Sequence, residues 1–190
     1  MHGFLSPSST RVSTLILAAA LALAGCGAPG TGSRSRPLPS YAGHAIELYD
    51  DAIEPAAVGL DYQKNYIVKA DARLRERTQV SDAVVRVRVA TVTAKKDGPE
   101  STYQLGLQTV EVLTGSHPPP HEFTVRIDRS SESHGILRNF ESRLVGYAFI
   151  AFVREFVRPD GDTELHFHLS PDTKEVKTAI SDALALQELK

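Results

Sequence analysis

The chain has 190 residues, a formal charge of −2 with histidine neutral, seven histidines, one cysteine and no tryptophan. A near-balanced charge excludes a general nucleic-acid binder, which carries a basic patch or a high isoelectric point. A single cysteine excludes an internal disulfide framework, and the length leaves room for one domain that buries a core without covalent staples.

Residues 1–25 read as a targeting segment. Arg11 is the one charged Lys, Arg, Asp or Glu before Cys26; with the amino terminus it supplies a positive n-region. The apolar run from Thr14 to Ala24 falls short of the roughly 20 residues that span a bilayer and suits a signal-peptide h-region of roughly 7–15 residues. Ala24 and Gly25 place small residues before Cys26, as a cleavage site requires. Leu23-Ala24-Gly25-Cys26 resembles the lipobox of bacterial lipoprotein precursors. That resemblance implies a diacylglyceryl group on the Cys26 sulfur, cleavage between Gly25 and Cys26, and often acylation of the new amino group. One acyl chain holds a protein only reversibly, at about 0.8 kcal/mol per buried methylene, whereas two or three hold it durably. The expected partner is therefore the membrane, reached through covalent lipid on Cys26, with no other cofactor. In the enterobacterial pattern an Asp after the cysteine favours retention in the inner membrane; Gly27 stands there, which favours the outer membrane, at its periplasmic face or the cell surface. Acylation abolishes the thiol, and no packed scaffold surrounds Cys26 to lower its pKa, so it is not read as catalytic.

Residues 26–40 form the acylated cysteine and a flexible tether, "GAPGTGSRSRPLP" being dominated by Gly, Pro and Ser. A single α+β domain follows over 41–190. Tyr41 to Leu60, interrupted by Pro55 and Gly59, reads as loops or short helical turns. Lys69 to Gln79 reads as a short helix with Leu74 as its main apolar contact. The period then changes to two: Val85, Val87 and Val89 oppose Arg86 and Arg88, which predicts a strand over Asp82 to Thr93. After the Asp97-Gly98-Pro99 turn signal, Tyr103, Leu105 and Leu107 alternate with Gln104, Gly106 and Gln108, and a hairpin with the preceding strand is the most local pairing. The proline triplet of "GSHPPPHE" forbids ladder hydrogen bonds. Phe123 to Asp128 is a third strand. "RSSESHGILRNFES" reads as a loop with a helical turn. Leu144 to Val157, apolar on both faces through Val153, reads as a central, doubly buried strand. A Pro159-Asp160-Gly161 turn leads to a fifth strand with Leu165, Phe167 and Leu169 inward. The closing helix takes Ser170 as N-cap and Pro171 as first residue, with an apolar stripe at Val176, Ala179, Ile180, Ala183 and Leu184.

About five mainly antiparallel strands with flanking helices predict an α+β fold, a curled sheet or small OB-like barrel with a C-terminal helix and a short helix before the first strand. Ser81-Asp82-Ala83-Val84-Val85 and Val110-Glu111-Val112-Leu113-Thr114-Gly115 are similar to a strand pattern of bacterial extracytoplasmic proteins, and the Ser81–Arg154 segment resembles netrin-type or metalloprotease-inhibitor barrels of OB type. In metalloprotease inhibitors an N-terminal cysteine chelates the target's zinc, a role that lipid and a long tether deny to Cys26.

His166 and His168 share one strand face and offer two ligands to zinc or copper, which takes three or four. His117, His121 and His134 lie in loops without diagnostic spacing. The plainer expectation is that Phe167 points inward while both histidines meet solvent. "SSESHG" (130–135) contains Ser and His but no nucleophile elbow, and its composition is that of a surface loop. Arg86, Arg88 and Arg126 are read first as a solvated strand face and second as a basic stripe for lipid headgroups, anionic polymers or a partner. "HPPPH" is read first as a rigid loop and second as a docking segment. The expectation is a non-enzymatic, lipid-anchored envelope protein that binds or supports an envelope partner, with metal binding by His166 and His168 as the alternative.

Overall fold

The structure, a computed structural model, describes residues 37–60, 66–97 and 100–189. The segment read as a signal peptide, Gly25, Cys26 and most of the segment read as a tether lie outside the described residues, as do Gly98 and Pro99 of the expected turn.

The elements run α1 (His44–Leu48), β1 (Ala52–Ile53), a 3-10 turn (Pro55–Val58), a second 3-10 turn (Val68–Ala70), α2 (Ala72–Val80), β2 (Ala83–Asp97), β3 (Glu100–Gly115), β4 (Glu122–Ile127), α3 (His134–Leu144), β5 (Ala148–Val157), β6 (Thr163–Pro171) and α4 (Lys174–Glu188). Six strands form one sheet in the order β1-β6-β5-β2-β3-β4. All neighbours are antiparallel except β1, which lies parallel to β6. The sheet curls into a half-barrel, the α+β, OB-like curled sheet expected from the sequence.

The period-two pattern is realised. Val85, Val87 and Val89 of β2, Leu105 and Leu107 of β3, and Val125 and Ile127 of β4 share one core with Phe167 and Leu169 of β6. First and last strands contribute to one cluster, so the sheet curls toward this face. Three register shifts in β2, after Val84, Arg86 and Val89, are bulges that sharpen such a bend. Ile136, Leu137 and Leu144 of α3 close this inner core. On the outer face, Val84, Ile150, Phe152 and Phe156 pack under Leu48, Leu74, Val176 and Ile180, contributed by α1, α2 and α4. β5 is central and buried on both faces from Phe149 to Val153, as its unbroken apolar run foretold.

The two halves of the quoted strand pattern meet. Ala83 pairs with Gly115 and Val85 with Val112. Gly115 has φ +107, and a Cβ there would lie 2.3 Å from the Asp82 carbonyl oxygen, so only glycine fits where the two segments close. Asp82 Oδ2 accepts the Glu155 N–H at 2.9 Å, which ties the same corner to β5.

Four expectations are corrected. The sheet has a sixth strand, β1, inside a segment read as loops and helical turns. "RSSESHGILRNFES" is mostly α3, whose Ile136, Leu137, Phe140 and Leu144 fall on one helical face despite the polar composition around them. β5 starts at Ala148, because Leu144 ends α3 and Gly146 and Tyr147 bond to Val89 in a turn. Ser170 and Pro171 do not open the last helix. Their pairing with Ile150 and Phe149 keeps them in β6, and Thr173 caps α4 by accepting the Val176 N–H at 3.3 Å.

Candidate functional site

His166 and His168 face the outer side of β6, about 6.7 Å apart along the strand. They do not meet solvent: His166 is 7% exposed and His168 3%. Residues 39–54 cross over them as a strap. Pro39 accepts the Val157 N–H at 2.9 Å, Asp51 N–H donates to the Phe167 carbonyl at 3.0 Å, and Glu54 N–H donates to the Leu169 carbonyl at 2.8 Å.

Two successive carboxylates complete the site. Asp50 Oδ1 lies 2.8 Å from His168 Nδ1, and Asp51 Oδ2 lies 2.7 Å from His166 Nδ1. Neighbouring side chains of an extended segment point to opposite faces. Here the backbone kinks at Asp51, the one described non-glycine residue with positive φ, 49°, and both carboxylates reach the same face of β6. Asp and Asn tolerate this left-handed conformation better than most residues. Asp51 Oδ1 also accepts the Phe167 N–H at 3.1 Å, so the carboxylate grips side chain and backbone together.

The rings are packed as well as paired. Tyr41 stacks on His166 with centroids 3.5 Å apart, and Phe156 meets both Tyr41 and His166 edge-on. The Tyr41 hydroxyl donates to the Tyr49 carbonyl. Arg77, also buried, donates from Nε to the Leu48 carbonyl at 2.5 Å and from Nη2 to the Glu47 carbonyl at 3.5 Å. It thereby satisfies acceptors that the end of α1 leaves open.

The electrostatics split the two acids. Burial opposes the charge of Asp50, yet the His168 hydrogen bond and the nearby His168 and Arg77 charges outweigh it and hold the carboxyl below its usual range. For Asp51 burial prevails over the His166 bond and raises the carboxyl, helped by repulsion from Asp50. Burial, with Asp51, Asp50 and Glu164 beside it, also raises the Tyr41 phenol.

With each Nδ1 directed at a carboxylate, Nδ1 carries the donated proton and Nε2 is the remaining nitrogen. His168 Nε2 is buried and has no hydrogen-bond partner among the described residues. His166 Nε2 has Glu164 Oε2 at 3.9 Å. Among the described residues no group of three or more His, Cys, Asp or Glu side chains is arranged to hold a metal ion. What the geometry performs is fastening: two acid–imidazole bonds, a ring stack and main-chain bonds hold residues 39–54 onto β6.

The other candidates go elsewhere. His117 is exposed beside Ser116 Oγ at 2.7 Å, His121 is exposed and its carbonyl accepts the Thr109 N–H, and His134 Nε2 bonds the Ser101 carbonyl at 3.1 Å. In "SSESHG", Ser131 Oγ donates to the Asp51 carbonyl at 3.1 Å. Buried Ser133 Oγ accepts the Ile53 N–H at 2.5 Å and donates to the Ile53 carbonyl at 3.2 Å. These hydroxyls pin the strap to the start of α3 rather than facing a base. The basic face is divided: Arg86 pairs with Asp172 at 2.6 Å, Arg126 pairs with Asp128 at 2.6 Å, and Arg88 is exposed. The expectation of solvent-facing histidines fails because their covering, Tyr41, Asp50 and Asp51, comes from more than 110 residues earlier in the chain. The available signal was numerical: two adjacent acids, and two histidines spaced to share a strand face.

Comparison with known protein-family models and with curated proteins finds no match to this chain.

Proposed function

We propose that this protein is a lipid-anchored component of the bacterial envelope with a non-enzymatic binding or supporting role. The observation that carries the reading is Leu23-Ala24-Gly25-Cys26 at the end of an apolar run of signal-peptide length. Acylated Cys26 is the anchor, and the Gly/Pro/Ser-rich stretch behind it is the tether to the domain. Among the described residues no helix is long and apolar enough to cross a membrane.

The strap fits this role. The tether runs into residues 39–54, so any load from the membrane reaches the domain there. The strap is fastened across β6 and β5 by bonds to Val157, His166, Phe167, His168 and Leu169, not by one contact. Both Nδ1 atoms are engaged in that fastening, which supports a structural reading of His166 and His168. The pair supplies two of the three or four ligands that a zinc site takes.

Mass spectrometry of the amino terminus, with detergent-phase partitioning of the full chain, tests the reading. The expected result is an amino-terminal peptide beginning at diacylglyceryl-modified Cys26 in the detergent phase, lost in Cys26→Ser. Recovery of full-length chain with unmodified Cys26 in the aqueous phase overturns it.

A further inference from the structure

A groove of about 570 Å³ runs between the α2 and α4 sides of the domain. Leu74, Ala179, Ala183 and Leu186 give it an apolar floor, with Val68 at one side. The charges on its walls are sorted. Lys69 and Arg75 line it from the α2 side, and Glu175 and Asp182 from α4. Asp71 and Lys174 add one opposite charge to each wall, but Asp71 is engaged in accepting the Leu74 N–H at 3.0 Å as the cap of α2. Among the described residues, the salt bridges that form do not join Lys69 or Arg75 to Glu175 or Asp182. The walls carry complementary charge without closing on each other.

The segments that line it also carry exposed apolar side chains. Leu186 in the groove is 47% exposed, Leu189 one helical step beyond it 83%, and Ile67 beside Val68 62%. Leu189 and Ile67 are the two most exposed of the large apolar residues described, and exposed apolar surface of this kind marks an interaction face.

We propose that this groove is a self-association site whose occupant is a second copy of the chain. A two-fold axis running along the groove brings the α2 wall of one copy over the α4 wall of the other. Lys69 and Arg75 then meet Glu175 and Asp182 twice, and Leu186 of each copy packs on the other's apolar floor. An isologous interface needs a surface that is complementary to itself, and oppositely charged walls flanking an apolar floor supply that complementarity. Anchoring to one membrane would raise the effective concentration of the copies, but the interface does not depend on the anchor.

Sedimentation velocity of the full chain in density-matched detergent tests this, over a wide range of protein concentration. Wild type is expected to show a concentration-dependent monomer–dimer equilibrium. Arg75→Asp and Asp182→Arg are each expected to weaken it about tenfold or more, because each puts like charges together. The double variant Arg75→Asp/Asp182→Arg is expected to recover most of the loss. Circular dichroism confirms that each variant is folded, and Cys26→Ser is expected to leave the equilibrium intact, which separates this inference from the anchoring reading. A chain that stays monomeric throughout overturns the proposal. So does a dimer indifferent to the single reversals, or one that the double reversal fails to restore.

Discussion

The two faces of β6 are both shut off from solvent, by opposite chemistry. On the inner face, Phe167 and Leu169 are fully buried in an apolar core drawn from all six strands and α3. On the outer face, His166 and His168 are nearly as buried, but under carboxylates, a tyrosine ring and a strap only a few residues wide. The inner face is stabilised by area removed from water, which is non-directional. The outer face depends on specific partners, and a missing partner there leaves a buried polar group unsatisfied. Burial alone therefore does not describe this strand; the way each face responds to change does.

The largest effect should come from the apolar side. Phe167→Ala removes a ring from a closed core and is expected to destabilise the domain by about 3–5 kcal/mol, read as a shift in the urea midpoint with an unchanged slope. Next, Asp51→Ala leaves His166 Nδ1 and the Phe167 N–H without acceptors and is expected to cost about 2–3 kcal/mol. Its signature differs in kind: hydrogen exchange of the Asp51 and Glu54 amides should rise far more than exchange within β5, because the strap opens locally while the cores persist. If exchange rises equally everywhere, the two faces are one cooperative unit and the comparison breaks.

A smaller effect separates the two acids by pH. Both start from an ordinary value of 3.8. Asp50 is held below it when folded, so its stabilising contribution is present above pH 3.8 and is lost as pH falls through the lower folded value. Asp51 is raised when folded, so its contribution is full below 3.8 and is lost as pH rises through the higher folded value. Thermal melts of wild type against Asp50→Asn should therefore converge on acidification below about pH 4. Against Asp51→Asn, wild type should instead gain as pH falls toward 4 from above. Parallel behaviour of the two variants would contradict the opposed environments. The smallest effect belongs to Arg126→Ala. Its ion pair with Asp128 is more than half exposed, so the urea midpoint should move by no more than about 0.5 kcal/mol equivalent.

Much of the inner face was legible in the sequence because period two is a local signal. Val85, Val87 and Val89, then Leu105 and Leu107, announce a half-buried hairpin, and the apolar run through Val153 announces a strand between two others. α3 was hidden by composition: Ser, Glu, Asn and Arg surround Ile136, Leu137, Phe140 and Leu144, whose helical spacing outweighs them once a core lies beneath. The start of α4 was misplaced because Ser170-Pro171 has the chemistry of a helix entrance, while the ladder to Ile150 and Phe149 holds both residues in the strand. The outer face was least legible. Alternation says that His166 and His168 share a side, but whether that side is wet depends on Asp50 and Asp51, reached across more than 110 residues by a two-residue parallel strand and one left-handed turn. No local pattern encodes that meeting.

The strap's fastening is tested most directly by proton–nitrogen NMR of the imidazole rings in the full chain. Exposed His117 and His121 serve as internal references. His166 and His168 are each expected to show an Nδ1 proton protected from exchange with water. Asp51→Asn should alter the first signal and Asp50→Asn the second, each without the other. Two rings that exchange as freely as His117, or that ignore both substitutions, would contradict it.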